Sequence, residues 1–322
     1  MKIFVAGATG VVGRQLVPML VARGHEVTAM TRSPGKDASL RAIGATAVAV
    51  ADGLDRESVL RAVTRSKPEV VVHQLTALAG TSDFKNFDRS FALTNQLRTE
   101  GTDHLLEGAR AAGARRFVAQ SYTGWPFARE GGPVKTEDDP LDPDPPARMR
   151  QTLEAIRHVE AVAQAAGIEG LALRYAGFYG PGTSVSPDGE IVAAVRKRKL
   201  PIVGSGAGVW SFIHIEDAAA ATLAAIEGGA PGVYNIADDD PAPVSVWLPA
   251  LAAAVGAKPP MRVPAWLAWP LAGAAGISMM TRIRGASNAK ARREFSWELR
   301  YPSWRQGFRT GLGDTRRMSD LA

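Results

Sequence analysis

The chain has 322 residues, 46% of them hydrophobic, which is enough to bury a large core without cross-links. It contains no cysteine, which excludes disulfides, thiolate catalysis and cysteine-ligated metals. The net charge of +6 comes from Lys and Arg spread along the chain, so we expect no nucleic-acid partner. The five histidines are scattered and predict no metal site.

The N-terminal residues lead directly into a predicted strand and lack the features of a signal peptide, so we expect a cytoplasmic protein. An apolar segment, 263–281, carries no charge and approaches the length of a membrane span. Because Pro264, Pro270, Gly273 and Gly276 interrupt it, we expect no membrane-spanning helix. We interpret the segment as a lid, a dimer face or an interfacial patch.

The first half of the chain alternates predicted strands and helices. Short apolar runs predict strands at 3–6, 26–30, 45–50, 70–73, 116–120 and 170–174. Helical periodicity predicts helices at 11–22, 56–65, 91–112 and 148–166. This alternation is typical of the α/β class and predicts a Rossmann fold, a doubly wound parallel sheet with right-handed crossovers.

The second half is less regular. The segment 123–147 is polar and proline-rich, so it predicts little regular structure. Beyond Gly180 short elements lie between Gly- and Pro-containing turns. We therefore expect an NAD(P)-binding Rossmann domain at 1–182, with later returns to its sheet around 209–240, and a smaller C-terminal substrate domain at 183–322.

A glycine-rich turn lies between the first predicted strand and helix and reads G-A-T-G-V-V-G from residue 7 to residue 13. Its glycines let the backbone turn tightly and approach a pyrophosphate closely, while the helix N-terminus supplies N–H groups and a positive dipole. The pattern predicts dinucleotide binding by six residues: Gly7, Thr9, Gly10, Val11, Val12 and Gly13.

The G-x-x-G-x-x-G spacing resembles that of the extended short-chain dehydrogenase/reductases, also called the NAD-dependent epimerase/dehydratase family. Other stretches resemble the family along essentially the whole chain: 50–54, 71–77, Asn95 with Gly101-Thr102, 174–182, 212–217 and 233–236. The resemblance implies a homodimer through the helices around 91–112 and 148–166. It also implies cofactor contacts by Asp52, Gly53, Leu54, Leu75, Thr76, Ala77, Asn95, Gln120, Ser121 and Tyr175.

The end of the second predicted strand indicates which dinucleotide is preferred. NAD-binding proteins of this type place a carboxylate there to hold the ribose 2′-hydroxyl. This chain has none, and instead places Arg32 and Lys36 where they can contact a 2′-phosphate. We therefore expect NADP(H) in preference to NAD(H).

Members of the family carry Tyr-x-x-x-Lys on the helix after the fifth strand. There the lysine lowers the tyrosine pKa and the tyrosine transfers a proton. No tyrosine of this chain has a lysine four residues later. Aligning the helix on Glu160 places Thr152 at the tyrosine position and Ile156 at the lysine position.

Three residues are candidates for catalysis in place of that pair: Tyr122, Thr123 and Tyr179. Strand alignment places Tyr122 at the family's catalytic serine, and Tyr179 follows the sixth strand. A phenol with an ordinary pKa near 10 suits a hydrogen-bond donor better than a base. The alternative is that Tyr122 only forms part of the pocket wall.

Several functions fit these features. The leading hypothesis is an atypical oxidoreductase that uses NADP(H) on a small, fairly apolar carbonyl or alcohol substrate. Epimerase, dehydratase or lyase chemistry on the same scaffold is a close variant. A non-catalytic NADP(H)-binding sensor or scaffold protein is the alternative, because a fold alone does not establish a reaction.

Overall fold

The computed structural model describes residues 1–78, 84–165 and 167–313. Within these ranges the strands are β1 (Lys2–Ala6), β2 (Glu26–Thr31), β3 (Ala47–Val50), β4 (Val70–His73), β5 (Arg116–Tyr122), β6 (Val134–Lys135), β7 (Glu169–Tyr175), β8 (Gly177–Tyr179), β9 (Ile202–Val203), β10 (Val209–Trp210), β11 (Phe212–His214), β12 (Gly232–Ile236), β13 (Ala242–Pro243), β14 (Arg262–Val263) and β15 (Gly285–Ala286).

The helices in the same ranges are α1 (Val11–Ala22), α2 (Asp37–Ala42), α3 (Arg56–Ser66), α4 (Phe87–Ser90), α5 (Ala92–Arg98), α6 (Glu100–Ala111), α7 (Arg150–Gln164), α8 (Glu190–Arg196), α9 (Ile215–Glu227), α10 (Val244–Ala254), α11 (Ala265–Thr281), α12 (Ala289–Phe295) and α13 (Trp304–Thr310). None of them is long and apolar enough to cross a bilayer.

The central sheet has seven parallel strands in the order β12-β7-β5-β4-β1-β2-β3. The strand order reverses between β1 and β4, so the carboxyl ends of these two strands open a crevice at the switch point. The predicted α/β class and Rossmann-type doubly wound sheet are confirmed. The predicted strands at 70–73 and 116–120 lie within β4 and β5.

Apolar layers cover both faces of this sheet. On one face, Leu16 of α1 and Ala221 of α9 belong to the same buried cluster as Val72 of β4. On the other face, Val63 of α3 and Leu105 of α6 pack with the sheet. Each large apolar side chain buried in this way contributes roughly 2 kcal/mol, which holds the strand ends in fixed positions.

The predicted helix at 91–112 is wrong in one respect, because the chain breaks between α5 and α6. Thr99 at the break has φ −95° and ψ −86°, which is not helical. Its hydroxyl donates a hydrogen bond of 3.0 Å to the Asn95 carbonyl oxygen. A threonine that bonds back one turn in this way bends a helix. The break follows directly after Arg98, whose side chain is buried.

The remainder of the chain adds short two-stranded ladders and a second apolar core. One ladder joins β6 to β15, so the proline-rich segment 123–147 contains a short strand. The second core contains Phe212, Trp247 and Trp304. Strand β12 returns to the central sheet beside β7. The division into domains at residues 182 and 183 stays a prediction.

Candidate active site

The turn from Gly7 to Gly13 forms a cradle at the carboxyl end of β1. Gly7 has φ +91°, and a Cβ there would lie 2.5 Å from the Gln74 carbonyl oxygen. A Cβ on Gly13 would lie 2.5 Å from the Gly7 carbonyl oxygen, which itself accepts a 3.0 Å hydrogen bond from Gly10 N–H. Neither glycine tolerates a side chain, so the backbone is fixed at the approach that a pyrophosphate needs.

Helix α1 begins at this turn. Gly10 caps it in an extended conformation, and no side chain of the described residues caps its first amides. The N–H groups at Val11 and Val12 therefore face the crevice end of the helix, where they suit an anion. The Thr9 carbonyl oxygen accepts a 2.9 Å hydrogen bond from Arg14 Nε, which holds the turn from its outer side. These residues fit the pyrophosphate of a dinucleotide.

The end of β2 carries the predicted cations. Arg32 and Lys36 are both exposed, and Arg32 makes no ion pair with any residue that the structure describes. Ser33 N–H donates a 3.2 Å hydrogen bond to the Thr31 hydroxyl, which orders the turn between them. The nearest carboxylate along the chain, Asp37, pairs with Arg41 at 2.9 Å.

The ends of β3 and β4 meet beside the phosphate turn. Asp52 accepts a 3.0 Å hydrogen bond from Leu54 N–H. A Cβ on Gly53 would lie 2.6 Å from Leu75 Cδ1, so the two loops touch closely. Leu75 N–H in turn donates a 3.2 Å hydrogen bond to His73 Nδ1. The structure thus brings together the loop residues that the sequence assigned to the cofactor.

The loop after β4 continues over α5. Ala77 N–H, just beyond Thr76, donates a 3.0 Å hydrogen bond to the Thr94 hydroxyl. Asn95 Nδ2 donates a 3.0 Å hydrogen bond to the Thr152 hydroxyl. The side-chain oxygen of the same residue, Asn95 Oδ1, is buried and has no hydrogen-bond partner among the described residues. An unpaired buried acceptor of this kind is available to a donor from a ligand.

The end of β5 places two polar residues inside the protein. Ser121 donates a 2.6 Å hydrogen bond to Glu160, and Glu160 also pairs with Arg174 through two contacts of 2.7 Å. Gln120 is 7% exposed. Thr123 donates a 3.1 Å hydrogen bond to the Asn235 side chain and is buried. Ser121 and Thr123 therefore act in internal hydrogen bonds in this structure.

Tyr122 is half-buried at the end of β5 and contacts a set of apolar side chains that we call the Tyr122 cluster. The buried members of this cluster are Phe87, Trp125, Met149, Leu153, Ile156, Ala275, Met279 and Ile283. Two rings within it, Phe87 and Trp125, meet edge to face at 5.2 Å between centroids. The buried members are at most 7% exposed, so these aromatic and flexible apolar side chains form a packed core next to Tyr122.

Arg98 is a residue of this site that sequence reasoning missed. Its side chain is 3% exposed, and its Nε has no hydrogen-bond partner among the described residues. Burial by the surrounding side chains raises the pKa of Tyr122 to about 12, although the charge of Arg98 lowers that pKa. Burial also lowers the pKa of Arg98 to about 10, so the guanidinium stays charged at neutral pH. An arginine within a helix carried no sequence signal of burial.

Helix α7 contains no tyrosine and no lysine, and the pairing of Thr152 and Ile156 with the family pair stays a prediction. The Thr152 hydroxyl donates a 2.7 Å hydrogen bond to Asp88 and accepts the one from Asn95. Ile156 is fully buried in the Tyr122 cluster. These side chains hold α7 against α4 and α5.

The two remaining tyrosines of the prediction lie in the interior. The Tyr175 hydroxyl accepts a 3.0 Å hydrogen bond from Gln74 and makes a 2.6 Å bond with Thr222. Tyr179 is 0% exposed and packs edge to face on His214 in the second core. The structure does not bring Tyr179 together with Tyr122.

Comparison with known proteins agrees with this architecture. The model of the NAD dependent epimerase/dehydratase family matches residues 3–237. The chain belongs to this family. A 3-diazoavenalumate denitrifying reductase from a Streptomyces species is 48% identical to it over 95% of this chain and 99% of the relative.

Solved structures with the same fold include two proteins with a bound dinucleotide. A Thermus thermophilus UDP-glucose 4-epimerase in complex with NAD is 25% identical, with a TM-score of 0.72 over 97% of this chain and 98% of that one. A human epimerase family protein with NADPH is 19% identical, with a TM-score of 0.72 over 97% of this chain and 99% of that one. Family and relatives together identify an oxidoreductase or epimerase-like enzyme that uses a nicotinamide cofactor on a small molecule.

Proposed function

We propose that the chain is an NADPH-dependent reductase that removes dinitrogen from a small aromatic diazo compound. The single observation that carries this proposal is the chemistry of α7. Helix α7 has no tyrosine and no lysine, and the two positions that we align with the family's proton-transferring pair hold a threonine engaged by Asp88 and a buried isoleucine. A reaction that needs no proton at that position fits these residues best.

The relative at 48% identity is named as a reductase that removes nitrogen from a diazo compound. A reduced nicotinamide, when bound, supplies a hydride. On the carbon of an aryl diazonium ion, that hydride would form the new C–H bond. The C–N bond would break at the same carbon, and its electron pair would leave with N₂. Charge and atoms balance without a proton donor. Ketone reduction, in contrast, leaves an alkoxide that must be protonated.

In this proposal some residues of the chain bind the cofactor and others exclude water from the substrate. The turn from Gly7 to Gly13 and the start of α1 would hold the pyrophosphate. Arg32 and Lys36 would hold a 2′-phosphate, since both are exposed and Asp37 is already paired with Arg41. The Tyr122 cluster would cover the aromatic ring of the substrate and keep water from a reactive diazo group.

Carbonyl reduction is a second candidate, and the electrostatic influence of the buried Arg98 charge on Tyr122 favours it. With its pKa near 12, Tyr122 stays protonated over the whole neutral range and can donate a proton but cannot act as a base. Arg98 would stabilise the phenolate that forms when the proton leaves. This candidate assigns Tyr122 a catalytic role, whereas the diazo candidate makes it part of the pocket wall.

The two candidates predict different results for Tyr122→Phe. We would follow NADPH oxidation at 340 nm with an aryl diazonium salt and with a panel of aryl ketones and aldehydes, and measure N₂ release by mass spectrometry. The proposed function predicts N₂ release in proportion to NADPH consumed and a change within about threefold in the variant. Proton donation by Tyr122 would instead lower the rate on a carbonyl by about 10²–10⁴-fold.

Tyr234→Phe is the matched control, because its hydroxyl bonds to Glu294 and to the Ala230 carbonyl oxygen, far from the crevice. It should leave both rates unchanged. NADPH binding without oxidation of NADPH by any of these substrates would contradict both candidates and favour a cofactor-binding sensor or scaffold.

We also propose that the protein is a cytoplasmic homodimer. An open groove runs between α5 and α7, and Gln96, Thr99 and Glu154 are among its lining residues. Paired helices from a second copy would fill it. Light scattering of the purified protein should give twice the chain mass, and Ala161→Arg, at an exposed residue of the same groove, should reduce it to one chain.

A further inference from the structure

An unusual concentration of exposed apolar side chains lies on the first half of α11. Trp266 is 77% exposed, Leu267 55%, Trp269 55% and Leu271 83%. We call these four residues the α11 patch. Among the described residues no other tryptophan is exposed to this degree, since the rest are buried or half-buried. Exposure of large apolar groups at this density marks a surface that binds something.

The backbone separates the α11 patch from the substrate crevice. Gly273 interrupts the helix with φ +63° and ψ −176°, and a Cβ there would lie 3.5 Å from Lys85 Cα. After this kink the helix turns inward, and Met279 joins the Tyr122 cluster. Only the half before the kink projects into solvent. The four side chains of the α11 patch therefore take no part in the packing around Tyr122.

Cations predominate on one side of the α11 patch. The two segments on that side, 191–215 and 241–293, contain no Asp and no Glu. On the other side α11 packs on Phe84–Asn86, and Asp88, which follows that segment, is already engaged by Thr152. Arg262 lies in β14 immediately before α11, and β14 pairs with β9, which brings the segment ending at Lys199 alongside. Lys199, Lys258 and Arg262 are all exposed.

We propose that the α11 patch and its basic border bind reversibly to the surface of an anionic lipid bilayer. Tryptophan and leucine insert at the boundary between headgroups and acyl chains, and nearby cations attract anionic headgroups. None of the described helices can cross a bilayer, so the contact is peripheral. A second copy is a poorer occupant, because a two-fold contact would place the basic borders of both copies face to face.

Sedimentation with vesicles tests this proposal on the full chain. We expect the protein to bind phosphatidylcholine vesicles that contain phosphatidylglycerol, and to bind phosphatidylcholine alone only weakly. High salt should release it, since the attraction to the headgroups is screened. The double variant Trp266→Gln/Leu271→Gln should weaken binding about tenfold or more. Lys258→Glu/Arg262→Glu should remove the preference for phosphatidylglycerol.

Matched controls lie elsewhere on the surface. Val246→Gln changes an exposed apolar side chain on α10, and Arg61→Glu changes an exposed cation on α3. Both should bind vesicles as the wild type does. Bromine-labelled acyl chains should quench tryptophan fluorescence of the wild type, and Trp266→Phe/Trp269→Phe should remove this quenching. An unchanged NADPH affinity shows that each variant is folded.

The proposal is overturned if the wild type does not bind vesicles that contain phosphatidylglycerol, or if the patch variants bind them equally well. It is also overturned if the control variants lose binding to the same extent. A wild-type dimer that the patch variants convert to a monomer, without any vesicle binding, would identify a second copy as the occupant.

Discussion

Protonation of His73 is expected to destabilise the fold and the cofactor loop together. His73 ends β4 and is 1% exposed. Its Nδ1 accepts a hydrogen bond from Leu75 N–H at 3.2 Å, so the neutral ring carries its proton on Nε2. That nitrogen lies 3.0 Å from the Thr102 hydroxyl, which itself donates to the Arg98 carbonyl oxygen. A second proton would leave Leu75 N–H without its acceptor.

The size of the effect follows from the pKa of His73. Burial lowers this pKa from 6.5 to about 4. Between these two values the unfolded chain binds a proton and the folded chain does not, so stability is lost as the pH falls. With a tenfold change in proton binding worth about 1.4 kcal/mol, we expect a loss of about 2 kcal/mol between pH 7 and pH 5. The loss reaches about 3 kcal/mol by pH 4.

Denaturant unfolding of wild type and His73→Gln at several pH values measures this effect. Buried carboxyl groups such as Asp217 have raised pKa values and act in the opposite direction, but they are present in both proteins. The difference between the two curves therefore isolates His73. We expect it to shrink by about 2 kcal/mol from pH 7 to pH 5. Parallel curves would refute this account. NADPH affinity of the folded protein should stay nearly constant from pH 7 to pH 5, because His73 in the folded protein takes up its second proton only near pH 4.

Three further perturbations test the site and its support. Arg32→Ala should raise the Kd for NADPH about 10–100-fold and leave that for NADH unchanged, by fluorescence titration; equal effects on both would contradict the 2′-phosphate assignment. Gly13→Ala should abolish binding of both dinucleotides in calorimetry, because its Cβ would meet Gly7 O. Glu160→Gln should destabilise the protein by about 3 kcal/mol in chemical denaturation, since it leaves Arg174 buried and unpaired. Arg61→Ala, at an exposed pair, should change stability by less than about 1 kcal/mol.

The alternation of strands and helices could be predicted from the sequence because the apolar spacing that defines each strand or helix lies within that element. Helix α1 begins and ends where its apolar spacing indicates, at Val11 and Ala22. The glycine spacing predicted the tight turn after β1 for a similar reason, since the positive φ of Gly7 is a property of that residue and its neighbours. Periodicity could not reveal the break at Thr99, because a single non-helical residue leaves the apolar spacing of α5 and α6 nearly unchanged.

The sequence by itself determined the fold class and the family resemblance, since each depends on residue types at short spacing. Only the tertiary structure decided which polar groups meet. It buried Tyr179 in the second core and placed Arg98, remote along the chain, beside Tyr122. It also left the α11 patch in solvent. Burial depends on contacts between distant segments, and no local pattern encodes it.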